Sequence, residues 1–322
     1  MSSRTGRAPV IAALVVGIGL MLAPAVFQMF SRAPLGGTMI DDFEPYMVEA
    51  KIDTFRGYMA QIDAAVAQAD DVRTSMIEGG TVTADEFATQ YVSVQQLTTE
   101  WATINADMTD LLDRMDANMN NYAAVAALPP FPMFPWFFVL PGLLVAGIAG
   151  SVVWSLHKGR PHRRRLWALL GVGVAIMAAP VAFQMFTRAP MGRDMIDSFR
   201  PMMTRERVQD VQGYFVTLGG GEGQMRVALI PAYVEAGGDS DDHPAIAEFS
   251  AQWPTIVKDF NPMIATMGDN VDNFQAVDAL PSFALFPWFF VVPGALVAGL
   301  AGFAGFALRR HSSTPGHLEA AP

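Results

Sequence analysis

Four stretches of this chain carry no charged residue: Pro9–Phe30, Phe134–Leu156, Leu166–Phe186 and Phe286–Leu308, which are 22, 23, 21 and 23 residues long. A helix needs about 20 apolar residues to cross the hydrocarbon core of a bilayer, so each is long enough. Buried helices of a large soluble core are usually shorter and broken by polar residues. The four windows therefore predict membrane spans. Only 16% of the 322 residues are charged, against about 25% in an average soluble domain, and the deficit belongs to these windows.

Flanking charge predicts the orientation. Arg4 and Arg7 precede the first window, His157–Arg165 between the second and third holds five cationic residues, and Arg309 and Arg310 follow the fourth. On the opposite side, close to the spans, lie only Arg32, Arg188, Arg193 and Arg200. The positive-inside rule places both termini and the 157–165 loop in the cytoplasm of a cell-membrane protein. Arg4 and Arg7 with Ala23-Pro24-Ala25 resemble a signal peptide and its cleavage site. Yet Met21–Phe30 reappears as Met177–Phe186, where no signal peptide can lie, so the first span is expected to be retained.

That match belongs to a longer repeat. Residues 24–47 and 180–203 are identical at 15 of 24 positions, and residues 118–150 and 270–302 at 22 of 33. The expected fold class is all-α: an integral membrane protein of four transmembrane helices, built as a tandem parallel duplication of span, outer helical bundle and span. The expected segments are a cytoplasmic start (1–8), spans at 9–30, 134–156, 166–186 and 286–308, outer helical domains at 31–133 and 187–285, the basic loop (157–165) and a cytoplasmic tail (309–322). Units in the same orientation imply a pseudo-twofold axis along the membrane normal, unlike inverted-repeat transporters.

Each outer segment reads as three or four antiparallel helices. Phe43, Met47, Phe55, Met59 and Ile62 recur at mostly helical spacing, as do Trp101, Ile104, Met108, Leu111 and Met115. Gly79-Gly80 stops the first run, and Thr83–Glu86 is a capping box. In the second segment Gly219–Gly221, Gly237-Gly238, Trp253-Pro254 and Asn261-Pro262 are expected stops.

Candidate sites are few. Gln28 and Arg32, four apart, with Asp41 following, recur as Gln184, Arg188 and Asp197. The cluster suits either a lipid headgroup or other anion, or a structural joint in which each arginine pairs with its aspartate; the joint is the preferred reading. Trp136, Phe137 and Phe138, with Trp288, Phe289 and Phe290, suit an interfacial aromatic belt. Ala146-xxx-Gly150 and Ala298-xxx-Gly302 permit close helix approach. Asp239, Asp241, Asp242 and His243 are weak candidates for a cation, more simply a solvated loop whose acids cap the next helix. Fifteen of the 20 methionines lie in the outer segments, with pairs four apart at Met115/Met119, Met191/Met195 and Met263/Met267. Thioethers suit Cu(I), but that spacing also suits a helix core, which is preferred.

With no cysteine there is no disulfide, thiolate site or cysteine nucleophile. A formal net charge of −10 argues against nucleic acid as a partner. No ionisable residue falls within a window, which counts against a pump or symporter. There is no Gly-x-Ser-x-Gly, P-loop or His-Glu-x-x-His. The expected function is non-enzymatic, with no cofactor: paired outer bundles that bind a partner or ligand, as an accessory, scaffold or sensor subunit. A permease or channel component with its pathway along the pseudo-twofold axis is the first alternative, and an outward copper or divalent-cation binder the second. The expected partners are the lipid bilayer and another membrane or extracytoplasmic protein, with a homo-oligomer left open.

Overall fold

The structure, a computed structural model, describes residues 3–158 and 163–312. Gly159–His162 of the basic loop and the tail beyond Ser312 lie outside the described residues, as do the side chains of Arg4, Arg309 and Arg310. The described residues contain no strand. Four helices are long and apolar enough to cross a membrane, with apolar windows at Arg7–Val26, Phe131–His157, Arg163–Ala182 and Phe283–Ala307. The chain is an all-α membrane protein.

It divides into two compact units: residues 1–38, 123–194 and 275–322 form one, and residues 39–122 with 195–274 the other. The two outer segments thus contribute to a single unit where separate bundles at 31–133 and 187–285 were expected. The crossings at 38/39, 122/123, 194/195 and 274/275 lie about ten residues beyond the expected span ends.

The spanning unit is a ring of α1 (Ser3–Val26), α7 (Trp136–His157), α8 (Arg163–Ala182) and α13 (Trp288–Ser312), in which α1 and α8 each pack on both α7 and α13. Lipid tails are as apolar as the helices, so close backbone packing must hold such a ring together. Glycines provide it. A Cβ on Gly17 would lie 2.7 Å from the Ala146 amide nitrogen, and one on Gly142 would lie 2.6 Å from that of Met21. Gly173 and Gly294, at the equivalent positions of the second repeat, meet in the same way. The small-residue seam is therefore Gly142-xxx-Ala146 and Gly294-xxx-Ala298. A Cβ on Gly150 would meet nothing within 4 Å, and one on Gly302 only Leu170 at 3.8 Å, so the expected motifs sit one turn too late.

α1 stops at Val26, four residues short of its charge-free window, and α2 (Met29–Phe43) follows after a break. α8 and α9 (Met185–Phe199) repeat this. Pro24 and Pro180 remove a backbone donor in each last turn. Gln28 and Gln184 then turn the chain with φ of 54°, in the left-handed region that non-glycine residues seldom adopt.

In the other unit α3 (Glu49–Glu78), α4 (Ala84–Gln90), α5 (Val92–Ala117) and the first half of α6 (Met119–Ala126) come from the first repeat. α10 (Arg205–Gln224), α11 (Ile230–Glu235) and α12 (Pro244–Asp278) come from the second, with a π-helical turn at Met225–Leu229. α6 beyond Tyr122 and α12 beyond Phe274 belong to the spanning unit. The Thr83–Glu86 capping box forms as expected, and Gly80 and Gly237, with positive φ, end runs as expected. Gly219–Gly221 does not stop a helix: it lies inside α10, where Gly221 is covered by Leu97 of α5 and Gly219 by the Trp253 ring. The glycines serve close helix contact. Pro254 and Pro262 likewise lie within an unbroken α12. The core crosses the repeats, with the fully buried rings of Phe55 and Phe260 stacked at 4.3 Å between centroids.

Candidate functional site

Within the helical unit, polar contacts run from each repeat to the other in matched pairs. Lys51 and Tyr58 of α3 both bind Asp259 of α12, at 3.1 and 3.0 Å. Arg207 and Tyr214 of α10, at the equivalent positions, both bind Asp107 of α5, the arginine at 2.6 Å. Gln68 Oε1 accepts from the Ala245 N–H at 2.8 Å, capping the start of α12. Gln224 Oε1 accepts from the Ser93 and Val94 N–H groups, capping α5. Asn118 donates to Ser198 Oγ, and Asn270 to Asp42. Each repeat supplies what the other needs.

These contacts set local titration. The Arg207 hydrogen bond holds the Asp107 carboxyl below the usual carboxylate range, with Tyr214 adding to it. Burial alone would raise Asp259, but its bonds from Lys51 and Tyr58 outweigh burial and lower it. Both carboxylates therefore stabilise the fold fully above their ordinary range, and that contribution is lost as pH falls through their folded values. At neutral pH the double variant Asp107→Asn/Asp259→Asn should be less stable by about 1–3 kcal/mol. The gap should close as pH drops below 3.8. Thermal unfolding across pH checks this, and a gap that persists in acid would count against it.

Where the repeats meet, they line an apolar chamber of about 60 Å³. Eight methionines line it: Met39, Met47, Met115, Met195, Met202, Met203, Met263 and Met267. Its walls are paired by the repeat, Met39 with Met195, Ile40 with Ile196, Phe43 with Phe199 and Met115 with Met267. Tyr122 also faces it, its hydroxyl donating to the Ile40 carbonyl. Burial, with the charges of Glu44 and Asp41, pushes this phenol up to about 12, so it remains a neutral donor. Among the described residues no charged group lines the chamber.

The sequence-derived candidates divide. Gln28 and Arg32 do not share one helix face, because the left-handed Gln28 separates α1 from α2; Gln184 separates Arg188 from α8 likewise. Nor do the arginines pair with their aspartates. Arg32 donates to the Ala279 carbonyl at 3.1 Å and Arg188 to the Ala127 carbonyl at 2.7 Å, each across the repeats. Asp197 instead pairs with Arg200, and Asp41 stays exposed. Trp136 and Trp288 are half-exposed, as belt residues are, each edge-on to a phenylalanine of its own repeat. Phe138 and Phe290 are not belt residues but buried neighbours, 4.7 Å apart, and Phe137 and Phe289 are half-buried.

Asp239, Asp241, Asp242 and His243 do not converge. Asp239 accepts from the Asp241 N–H, His243 packs edge-on against Tyr233, and the start of α12 is capped by Gln68 rather than by these acids. Among the described residues no three Asp, Glu or His groups are placed to hold a metal ion. Of the methionine pairs, Met115, Met195, Met263 and Met267 reach the chamber; Met119 and Met191 do not line it. Sequence reasoning missed the exchanged Lys51–Asp259 and Arg207–Asp107 pairs. Their signal was present, since Tyr58/Tyr214 and Asp107/Asp259 occupy equivalent repeat positions.

The fold defines an all-α membrane protein whose helical unit is completed only by both repeats. No protein-family model and no curated protein matches the chain.

Proposed function

We propose that this is a non-enzymatic multi-pass membrane protein whose helical unit faces outward and binds a small apolar ligand, as a sensor or accessory subunit. The methionine-lined chamber carries this reading. It lies between the repeats, its walls come in pairs, and eight flexible thioether side chains can repack around a guest. Nine Lys/Arg flank one side of the spans against four on the other, which supports cytoplasmic termini and a cytoplasmic 157–165 loop. Support for a non-catalytic role comes from the sequence, which has no cysteine, and from His243, which packs on Tyr233 rather than beside a nucleophile.

The test uses full-length protein in detergent, with its methionine methyls ¹³C-labelled, titrated with benzene. The chamber methionines should shift saturably, and Leu111→Phe, which fills the chamber, should abolish the response. An unchanged spectrum would overturn the reading. The same eight sulfurs suit a second occupant, Cu(I). A Cu(I) titration against a competing chelator separates the two: retained metal with no benzene response favours the ion.

A further inference from the structure

The spanning unit holds a second cavity, of about 330 Å³, that the proposed function does not use. Val16, Gly19, Leu20 and Ala23 of α1 form one wall, and Phe286 and Pro293 are among the residues facing them. Phe131, Phe134, Phe138 and Phe283 also contribute rings. Among the described residues no charged or hydrogen-bonding side chain lines it. Water needs two to four polar partners to occupy a cavity, so a space this large in an apolar helix ring calls for an apolar occupant.

Arg32 stands at its rim. The next residue, Ala33, lines the cavity, and so does Leu280, the neighbour of the Ala279 carbonyl that Arg32 binds. A guanidinium has five N–H donors in a fixed fork suited to phosphate, and the Ala279 bond uses one. Among the described residues no carboxylate is ion-paired with Arg32, and the expected partner, Asp41, is not bound to it. Apolar walls below an uncompensated arginine at the end of a span match the two ends of one molecule.

We propose that this cavity takes one acyl chain of an anionic phospholipid from the surrounding bilayer, with Arg32 holding its phosphate. Specificity for negative headgroups comes from the arginine, and residence from the cavity. The site is independent of the methionine chamber, and its test does not involve that chamber.

Full-length protein reconstituted in bilayers of equal dioleoyl-phosphatidylglycerol and dioleoyl-phosphatidylcholine, then released into mild detergent, is examined by native mass spectrometry. Wild type should retain one phosphatidylglycerol in preference to phosphatidylcholine. Arg32→Gln should lower that preference about tenfold while lipid is still retained. Gly19→Leu places a side chain in the cavity from a position whose Cβ would touch nothing within 4 Å. It should release lipid of both kinds with thermal unfolding unchanged. Ala23→Leu, on the same wall, repeats the test should Gly19→Leu fold poorly. Gly147→Leu on α7, also in open surroundings, should retain wild-type lipid. Equal retention of both lipids by wild type, or undiminished retention by folded Gly19→Leu and Ala23→Leu, overturns the proposal.

Discussion

Replacing Gly142 by isoleucine should force α7 away from α1 and cost about 3 kcal/mol or more. The added Cβ would lie 2.6 Å from the Met21 nitrogen and 2.8 Å from the Gly17 carbonyl oxygen. Both are backbone atoms of a neighbouring helix, which cannot rotate out of the way as a side chain can. Overpacking a well-filled core costs about 1–3 kcal/mol, occasionally more. Contact with backbone belongs at the upper end, and within a bilayer no hydrophobic gain offsets the lost packing. Gly294→Ile should behave alike, because Gly294 meets the Gly173 carbonyl at 2.7 Å. Gly150→Leu is the matched control on the same helix, in open space. Thermal unfolding in detergent should separate Gly142→Ile from Gly150→Leu clearly. Equal melting of the two would sink the assignment of the seam.

The second large effect is expected in the helical unit. Phe260→Ala should cost about 3–5 kcal/mol, the range for removing a buried aromatic ring. Phe260 is fully buried, stacked on Phe55 at 4.3 Å, and has Phe215 at 5.1 Å. Its ring joins α3 of the first repeat to α10 and α12 of the second, so the void would open where the repeats are held together. Part of the loss is specific to the Phe55 pair, at about 0.5–1.5 kcal/mol beyond area burial. A double-mutant cycle with Phe55→Ala isolates it. Val216→Ala, at a position 75% exposed, should be nearly neutral in the same denaturant titration. If Phe260→Ala cost no more than Val216→Ala, the cross-repeat core would not be the source of stability.

Much of the fold was legible in the sequence, for identifiable reasons. Charge-free windows of span length leave few alternatives to membrane helices, and Thr83 with Glu86 supplies a complete local cap. What escaped was non-local. Gly219–Gly221 reads as a turn by composition, and it is Leu97, more than a hundred residues away, and the Trp253 ring that make it a packing surface. Pro254 and Pro262 read as stops, but α12 carries them. Gln28 gave no sign of a left-handed break, since glutamine is not a residue that favours one. The methionines were legible as core, but their meeting in one chamber was not, because periodicity describes a helix and not its neighbours. Arg32 binds a partner other than the expected one, because Asp41 is near in sequence while Ala279 is near in space.

The exchanged contacts carry a consequence for how the two repeats can differ. When residue i of one unit meets j of another, and the equivalent j meets the equivalent i, the interface is isologous, as in a twofold dimer. This polypeptide makes within itself what identical subunits make by association, and the 157–165 connection holds the halves at high effective concentration. A dimer of identical subunits must change both sides of its interface at once. A fused one can change a single side, and the chamber has done so: Tyr122 presents a tethered hydroxyl where Phe274, at the matching position, presents only a ring. Covalent linkage thus lets the two sides of the chamber differ, so a guest without symmetry of its own can be held in one orientation.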